Sequence, residues 1–298
     1  MNISVIGSIN MDLVYRVPHI VKEGETLHSS SHSIHYGGKG ANQAITASQL
    51  GANVSFIGKV GKDAFGNQAK GNLENNGVLT AAIKEEGSTG QAIIQVSDSG
   101  ENSIVLFPGA NFLVTPDQID QEYNVIRNSD VLLLQLEIPL ESVEKAIQVA
   151  ANFEKIIILN PAPAKELPDS LLKKVSLLTP NETELALLTG IEPSSEEKLM
   201  EACKFLLGKG VRTVIVTLGS KGAFYINDKE HGWVEAIKVD AVDTTGAGDA
   251  FNGALAVAIC RGDSLGEAVK NAAEIAAYVV TKMGAQPEFP ESIKRLMT

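Results

Sequence analysis

Short apolar runs rich in β-branched residues recur along this chain: ISVIG at 3–7, VSFIG at 54–58, VLLLQ at 131–135, KIIILN at 155–160, VSLLT at 175–179 and TVIVTLG at 213–219. Runs this continuously apolar suit strands covered on both faces. Helical patterns intervene at 40–50, 140–152, 182–189, 196–208 and 246–261. The alternation predicts right-handed βαβ crossovers and an α/β fold on a mostly parallel, doubly wound sheet, in which ligands gather at the C-terminal strand edges.

Two stretches break the rhythm. Residues 13–36 and 90–108 alternate apolar and polar, and within the second a turn at Asp98-Ser99-Gly100-Glu101-Asn102 predicts a hairpin. A small sheet built from these segments needs something to cover its apolar face, which suggests a lid over a ligand and a contact with another subunit. No repeat or long linker divides the 298 residues, so 1–298 is expected to be one domain carrying that lid.

A formal net charge of -11 with no Lys/Arg run excludes a nucleic-acid or anionic-lipid footprint. Any anionic ligand must therefore be held locally. Cys203 and Cys260 lack metal-ligand spacing and suit inert packing. His28, His32 and His35 fall on differing faces of a lid strand, which argues against a metal there, and Trp233 suits packing. No leader or membrane-length apolar run stands out, so the cytoplasm is the expected compartment.

The strongest local signal is Asp243-Thr244-Thr245-Gly246-Ala247-Gly248-Asp249, which leads into the small apolar residues AFNGALAVAI. Glycines at such a helix start leave the first N–H groups free to face an anion, aided by the helix dipole. Asp249, in the first turn, could accept a proton from a hydroxyl attacking that anion. The same run also reads as an ordinary helix start with a Thr cap and an Asp that suits the dipole.

A second glycine cluster, Gly37-Gly38-Lys39-Gly40-Ala41-Asn42-Gln43, permits close backbone approach to a ligand, and Lys39 and Asn42 supply donors suited to sugar hydroxyls. It matches neither GxxxxGK[ST] nor a full GxGxxG, and a flexible loop is the plainer reading. Asn10 and Asp12, at the end of the first strand, share one face of an extended segment and could grip vicinal hydroxyls, or simply make a turn. Glu137, Asn181 and the run Thr217-Leu218-Gly219-Ser220-Lys221-Gly222 each follow a predicted strand, where a doubly wound sheet brings distant residues to one cleft. Individually they have plain explanations, such as Asn181 capping a helix in a box with Glu184.

Six runs in order, GSINMD at 7–12, GGKGANQA at 37–44, LNPAPAK at 159–165, TPNETE at 179–184, DTTGAGDAFNGAL at 243–255 and KMGAQP at 282–287, resemble the ribokinase-like, or PfkB-type, family of sugar kinases. The resemblance implies a three-layer α/β/α sandwich with a small β lid, and a homodimer clasped through that lid. It implies ATP-dependent phosphorylation of the primary 5-hydroxyl of a small sugar, with D-ribose the expected substrate. Asn10, Asp12, Gly38, Lys39, Gly40, Ala41, Asn42 and Glu137 would hold the sugar. Asn181 would act near the phosphates and Mg2+, and Thr217 to Gly222 would line the nucleotide site. Gly246, Ala247 and Gly248 would form the anion hole and Asp249 the catalytic base, itself within reach of sugar and nucleotide.

A monovalent cation, K+, would sit near Asp243, Thr245, Val279, Lys282 and Gly284, several of them offering only carbonyls. Two positions depart from the family pattern. Glu288 stands where a small hydroxyl residue is usual, and Ala273 stands at the adenine-side Asn or His position, with Asn271 two residues earlier. Rival readings are a sister kinase for 2-deoxyribose, fructose, a nucleoside or a phosphorylated sugar, a non-catalytic sugar sensor, and a dinucleotide-dependent oxidoreductase. A phosphosugar needs extra cations, and the segments around 10–42 offer mainly Arg16, Lys22 and Lys39. A sensor has no use for a base at Asp249, and the oxidoreductase lacks its fingerprint after the first strand.

Overall fold

A computed structural model describes residues 1–297. Its strands are β1 (Asn2–Ile6), β2 (Asn10–Val17), β3 (Ser31–Gly37), β4 (Asn53–Val60), β5 (Ile83–Glu85), β6 (Gly90–Ser97), β7 (Asn102–Phe107), β8 (Val131–Leu134), β9 (Ile156–Leu159), β10 (Leu177–Leu178), β11 (Thr213–Thr217), β12 (Ala223–Asn227) and β13 (His231–Val234). Among the described residues, nine strands form a sheet in the order β13-β12-β11-β10-β9-β8-β1-β4-β5. It is parallel from β5 to β11, and β12 and β13 pair antiparallel at one edge.

The period-2 alternation of side chains explains the continuous apolar runs. In β8, Val131 and Leu133 enter one core and Leu132 and Leu134 the other, all four fully buried. The first core lies beneath the helices Lys39–Gln49, Ala247–Arg261 and Leu265–Val279, and the second beneath Leu140–Asn152 and Glu196–Gly208. These three layers are a mixed α/β sandwich on a mostly parallel sheet. No helix among the described residues is long and apolar enough to cross a membrane.

The chain builds outward from β1 to β4 and β5, then returns to β8 on the other side of β1 and continues to β11. The strand order therefore reverses at β1 and β8, and the crevice at their C-terminal ends is where such sheets bind ligands.

A second sheet of four strands, in the order β3-β2-β6-β7, stands over that edge. The strand β2 pairs antiparallel with β3 and parallel with β6, while β6 and β7 form a hairpin. Its outer strand is apolar yet open: Ile104, Val105, Leu106 and Phe107 are all about half exposed or more. One boundary differs from the sequence expectation. Asn10 and Asp12 do not end β1, which stops at Ile6; they open β2 after the link Gly7–Ile9. Pairing with β3 and β6, invisible in local pattern, decides this.

Candidate active site

Asn10 and Asp12 enter the site from β2, two residues apart and so on one face. Asn10 is buried, and its Oδ1 accepts from Asn111 Nδ2 at 2.7 Å. Asp12 lies against Gly37, across the β2–β3 pair; a Cβ at that glycine would come within 2.3 Å of the carboxylate. A glycine there is what makes room for the acid.

The helix Lys39–Gln49 starts at Gly38, whose φ of 91° is left-handed. Ala41 N donates to Ser8 O, fixing the helix start against the end of β1. Glu137, just past β8, accepts from Lys39 N at 3.1 Å and from Ser8 Oγ. Gly38, Lys39, Gly40, Ala41, Asn42 and Glu137 are thus brought to one wall of the crevice.

On the opposite wall the helix Ala247–Arg261 begins at Gly246, with φ 79° and no capping side chain. The Thr cap of the plainer sequence reading is absent, so this helix start carries no side chain that competes with an anion. Asp249, in its first turn, is buried at 6% exposure and accepts from Asn42 Nδ2 at 2.8 Å and Gln43 Nε2 at 3.1 Å. These bonds join residues more than 200 positions apart into one site.

Charges converge here. Burial raises the Asp249 carboxyl above its usual range, and Glu137 adds to the rise; Lys39, Asn42 and Gln43 oppose it without cancelling it. Burial alone would lower the Lys39 ammonium, but Asp249, Glu137 and Glu184 outweigh it and hold it above its usual value. Asp12 is pushed up to about 7 by burial, then by Glu137 and Asp249. Burial likewise raises Glu184, with Asp249 adding to the rise. A cluster of carboxylates around one lysine, at the mouth of an uncapped helix, can remove a hydroxyl proton beside an anion.

Asn181 and Thr217 are bridged across β10 and β11, and Asn181 makes the capping box with Glu184. The turn after Thr217 closes by Leu218 N to Gly222 O at 2.8 Å, with Gly219, Ser220 and Lys221 at its tip. Lys221 pairs with Glu182 at 2.9 Å in the open. These residues form one rim, and Glu184 of the capping box feels the charge of Asp249.

Asp243 forms a third group. Burial alone would raise it, but Thr245 and the Gly284 N–H hold its carboxyl below the usual range. Its oxygens accept from Thr245 N and Gly284 N, both at 2.9 Å, which ties the glycine turn to the loop after the helix Leu265–Val279. Val279 offers its carbonyl to Lys282 N, while the Lys282 ammonium lies 5.2 Å from the Tyr278 ring centre. Ionised carboxylate with main-chain oxygens is a donor set that fits a hard monovalent cation. Glu288 is exposed, with its carbonyl taking Tyr278 OH at 3.2 Å.

A cavity of about 390 Å3 opens between β12, β13 and the helix Leu265–Val279, lined by Tyr225, Trp233, Glu235, Ile237 and Ala273. Trp233 packs on Phe224 at 4.9 Å and also borders this space. Asn271 points elsewhere, to Asp263 at 3.2 Å. The sequence assigns no role to Gln43, which bonds Asp249, nor to Asn160, Gln135 and Gln286, which bond Gln43 or Asn42 one step behind it. The only local hint is Gln43, a long amide in a run of small residues.

The family model for pfkB family carbohydrate kinases matches residues 1–292. The ribokinase of Haemophilus influenzae is 43% identical over 290 residues, covering 97% of this chain and 95% of that protein. The deoxyribokinase of Salmonella typhi is 39% identical over 293 residues, covering 97% of this chain and 96% of its own length. The structure of Arabidopsis thaliana ribokinase complexed with ribose and ATP superimposes with a TM-score of 0.94 at 33% identity, covering 99% of this chain and 98% of that one.

Proposed function

The chain belongs to the pfkB family of carbohydrate kinases, and from that premise we propose that it transfers the γ-phosphoryl group of ATP to the 5-hydroxyl of D-ribose. The observation that carries this reading is Asp249, buried at an uncapped helix start and hydrogen-bonded to Asn42 on the wall that faces the sugar. Asn10, Asp12 and Glu137, with Gly38 to Asn42, hold the ribose hydroxyls from one wall. Gly246, Ala247 and Gly248 offer N–H donors to the phosphoryl group, Ala247 giving up its 3.3 Å bond to Thr244 O, and Asp249 takes the 5-hydroxyl proton as the oxygen attacks.

Thr217 to Gly222 and Asn181 frame the nucleotide, and the cavity beside Ala273 takes its base, apolar contact replacing a polar side chain. Mg2+, when bound, would supply positive charge to neutralise the phosphates. Asn181 and Glu184 each spend an oxygen on the capping box, which fits an ion that keeps its waters and its phosphate ligands. Asp243, whose carboxylate is tied to Thr245 N and Gly284 N, would hold K+ together with oxygens of Thr245, Val279, Lys282 and Gly284. The four-stranded sheet is the lid of a single domain, and its open face at Ile104 to Phe107 receives a second copy of this chain.

The deoxyribokinase relative keeps 2-deoxyribose as a second reading. Coupled ADP release measured over a panel of ribose, 2-deoxyribose, fructose, nucleosides and phosphosugars, with and without K+, separates them. Ribose is expected to give the highest kcat/KM, with a gain on adding K+. Preference for another sugar overturns the substrate, and silence throughout overturns the kinase reading.

The pH dependence of KM for ribose follows from Asp12. A carboxyl titrating at about 7 accepts sugar hydroxyls fully only above that pH and loses the acceptor as pH falls through it. KM for ribose is therefore expected to rise about tenfold per pH unit below 7, flattening above it. Asp12→Asn should abolish the slope. A flat KM in the parent enzyme across that range removes Asp12 from the sugar contact.

A further inference from the structure

Two chains of side-chain amides converge on Asp249, and both run in one direction. Asn72 Nδ2 donates to Gln286 Oε1 at 2.8 Å, Gln286 Nε2 to Asn42 Oδ1 at 2.7 Å, and Asn42 Nδ2 to Asp249 Oδ2 at 2.8 Å. On the other side Gln135 Nε2 donates to Gln43 Oε1 at 2.6 Å, and Gln43 Nε2 to Asp249 Oδ1 at 3.1 Å. A primary amide accepts at one end and donates at the other. Each amide that receives a bond from behind must therefore turn its nitrogen forward.

The far members come from separate parts of the fold. Asn72 is in the helix Ala64–Asn75, Gln286 in the loop tied to Asp243, and Gln135 at the end of β8. Gln135 is fully buried, and its Oε1 has no hydrogen-bond partner. An unpaired buried acceptor costs stability, so it calls for an explanation. The chain supplies one: turning Gln135 over would set oxygen against Gln43 Oε1 and release the amide that faces Asp249.

We infer that Gln286 and Gln135 are positioning residues for the base, acting through Asn42 and Gln43 to aim one amide donor at each oxygen of Asp249. With one lone pair on each oxygen engaged, the other stays directed to the substrate hydroxyl. The donors also favour the ionised carboxylate in a buried place that opposes it. This rests on the reading of Asp249 as base.

Gln286 is only partly buried, so it is the member to change. The charged groups facing Asp249 stay in place: Lys39 from its helix, Asp12 from β2, Glu137 after β8 and Glu184 from the helix Glu182–Thr189. The readout is kcat at saturating ribose, where bound sugar covers Asp12. In Gln286→Leu the acidic limb of kcat should move up by about one pH unit and the plateau fall about tenfold, with both KM values little changed. Gln286→Glu has nearly the same shape but can only accept. It turns Asn42 around, so both effects should be larger. Asn72→Leu, one bond further back, should shift the limb the same way by less, and melting curves should show all three folded. A lower plateau with an unmoved limb, or no change in either variant, overturns the relay. Asp249→Asn is measured alongside: if it turns over normally the base assignment fails, and if it is inert while the limbs stay put only the relay fails.

Discussion

Asp249→Asn is expected to lower kcat by about 10³-fold or more while leaving the ATP affinity nearly unchanged. The substitution keeps the shape of the side chain and removes its charge and its capacity to take a proton. Asn42 and Gln43 both donate to this position, so an amide there must set its own NH2 against one of them, and one bond is lost. The fold should tolerate this, because the carboxylate is buried against its preference for the neutral form. Steady-state kinetics and a nucleotide titration of the same preparation check the result. Turnover within tenfold of the parent enzyme would remove Asp249 as base and leave it a helix-start residue.

The fold was legible because its strands are buried on both faces. Val131–Leu134 and Ile156–Leu159 are apolar at every position, and only a covered parallel sheet rewards that pattern. The helices Leu140–Asn152, Glu182–Thr189 and Glu196–Gly208 carry the expected bounds because Pro139, Asn181 and Ser195 mark their starts. The boundary at Asn10 was not legible, since the eight residues of β2 continue the extended pattern of β1, through the link Gly7–Ile9, into a different sheet. Strand exchange between sheets is settled by pairing partners far away, Tyr36 and Gln91 for Met11 among them.

The site divides the same way. Glycine turns announce themselves locally, because few other residues adopt their conformations, and so Gly38 and Gly246 were found. Gln135, Asn160 and Gln286 carry no such mark, and Gln43 only the weak one of a long amide among small residues. Glutamine is an ordinary helix or loop residue, and only the fold reveals that Gln43 bridges Asp249 and Asn160. Ala273 was singled out by its position, but the cavity it borders, made by β12, β13 and its own helix, was not legible because those elements meet only in the fold.

Gly246 is the position where the left-handed turn and the proposed anion hole coincide, and Gly246→Ala should lower kcat/KM for ATP by about 10²-fold, the scale of losing an anion-hole donor. Its φ of 79° is left-handed, and an alanine held there costs about 1–2 kcal/mol. The added Cβ would meet Ala285 Cβ at 2.5 Å and Cα at 2.7 Å, so the loop bearing Ala285 and Gln286 must move. That loop is pinned to Asp243 through Gly284, and Gln286 leads to Asn42 and the base. One methyl group therefore disturbs the helix start, the loop bonded to Asp243 and the aim of Asp249 together. Gly248 provides the contrast, since a Cβ there meets nothing within 4 Å. Gly248→Ala should melt with the parent enzyme and any loss it shows should lie in nucleotide binding, whereas Gly246→Ala should melt lower and lose turnover as well. Equal melting and equal kinetics for the two variants would mean that neither the left-handed turn nor its contact with Ala285 shapes the site.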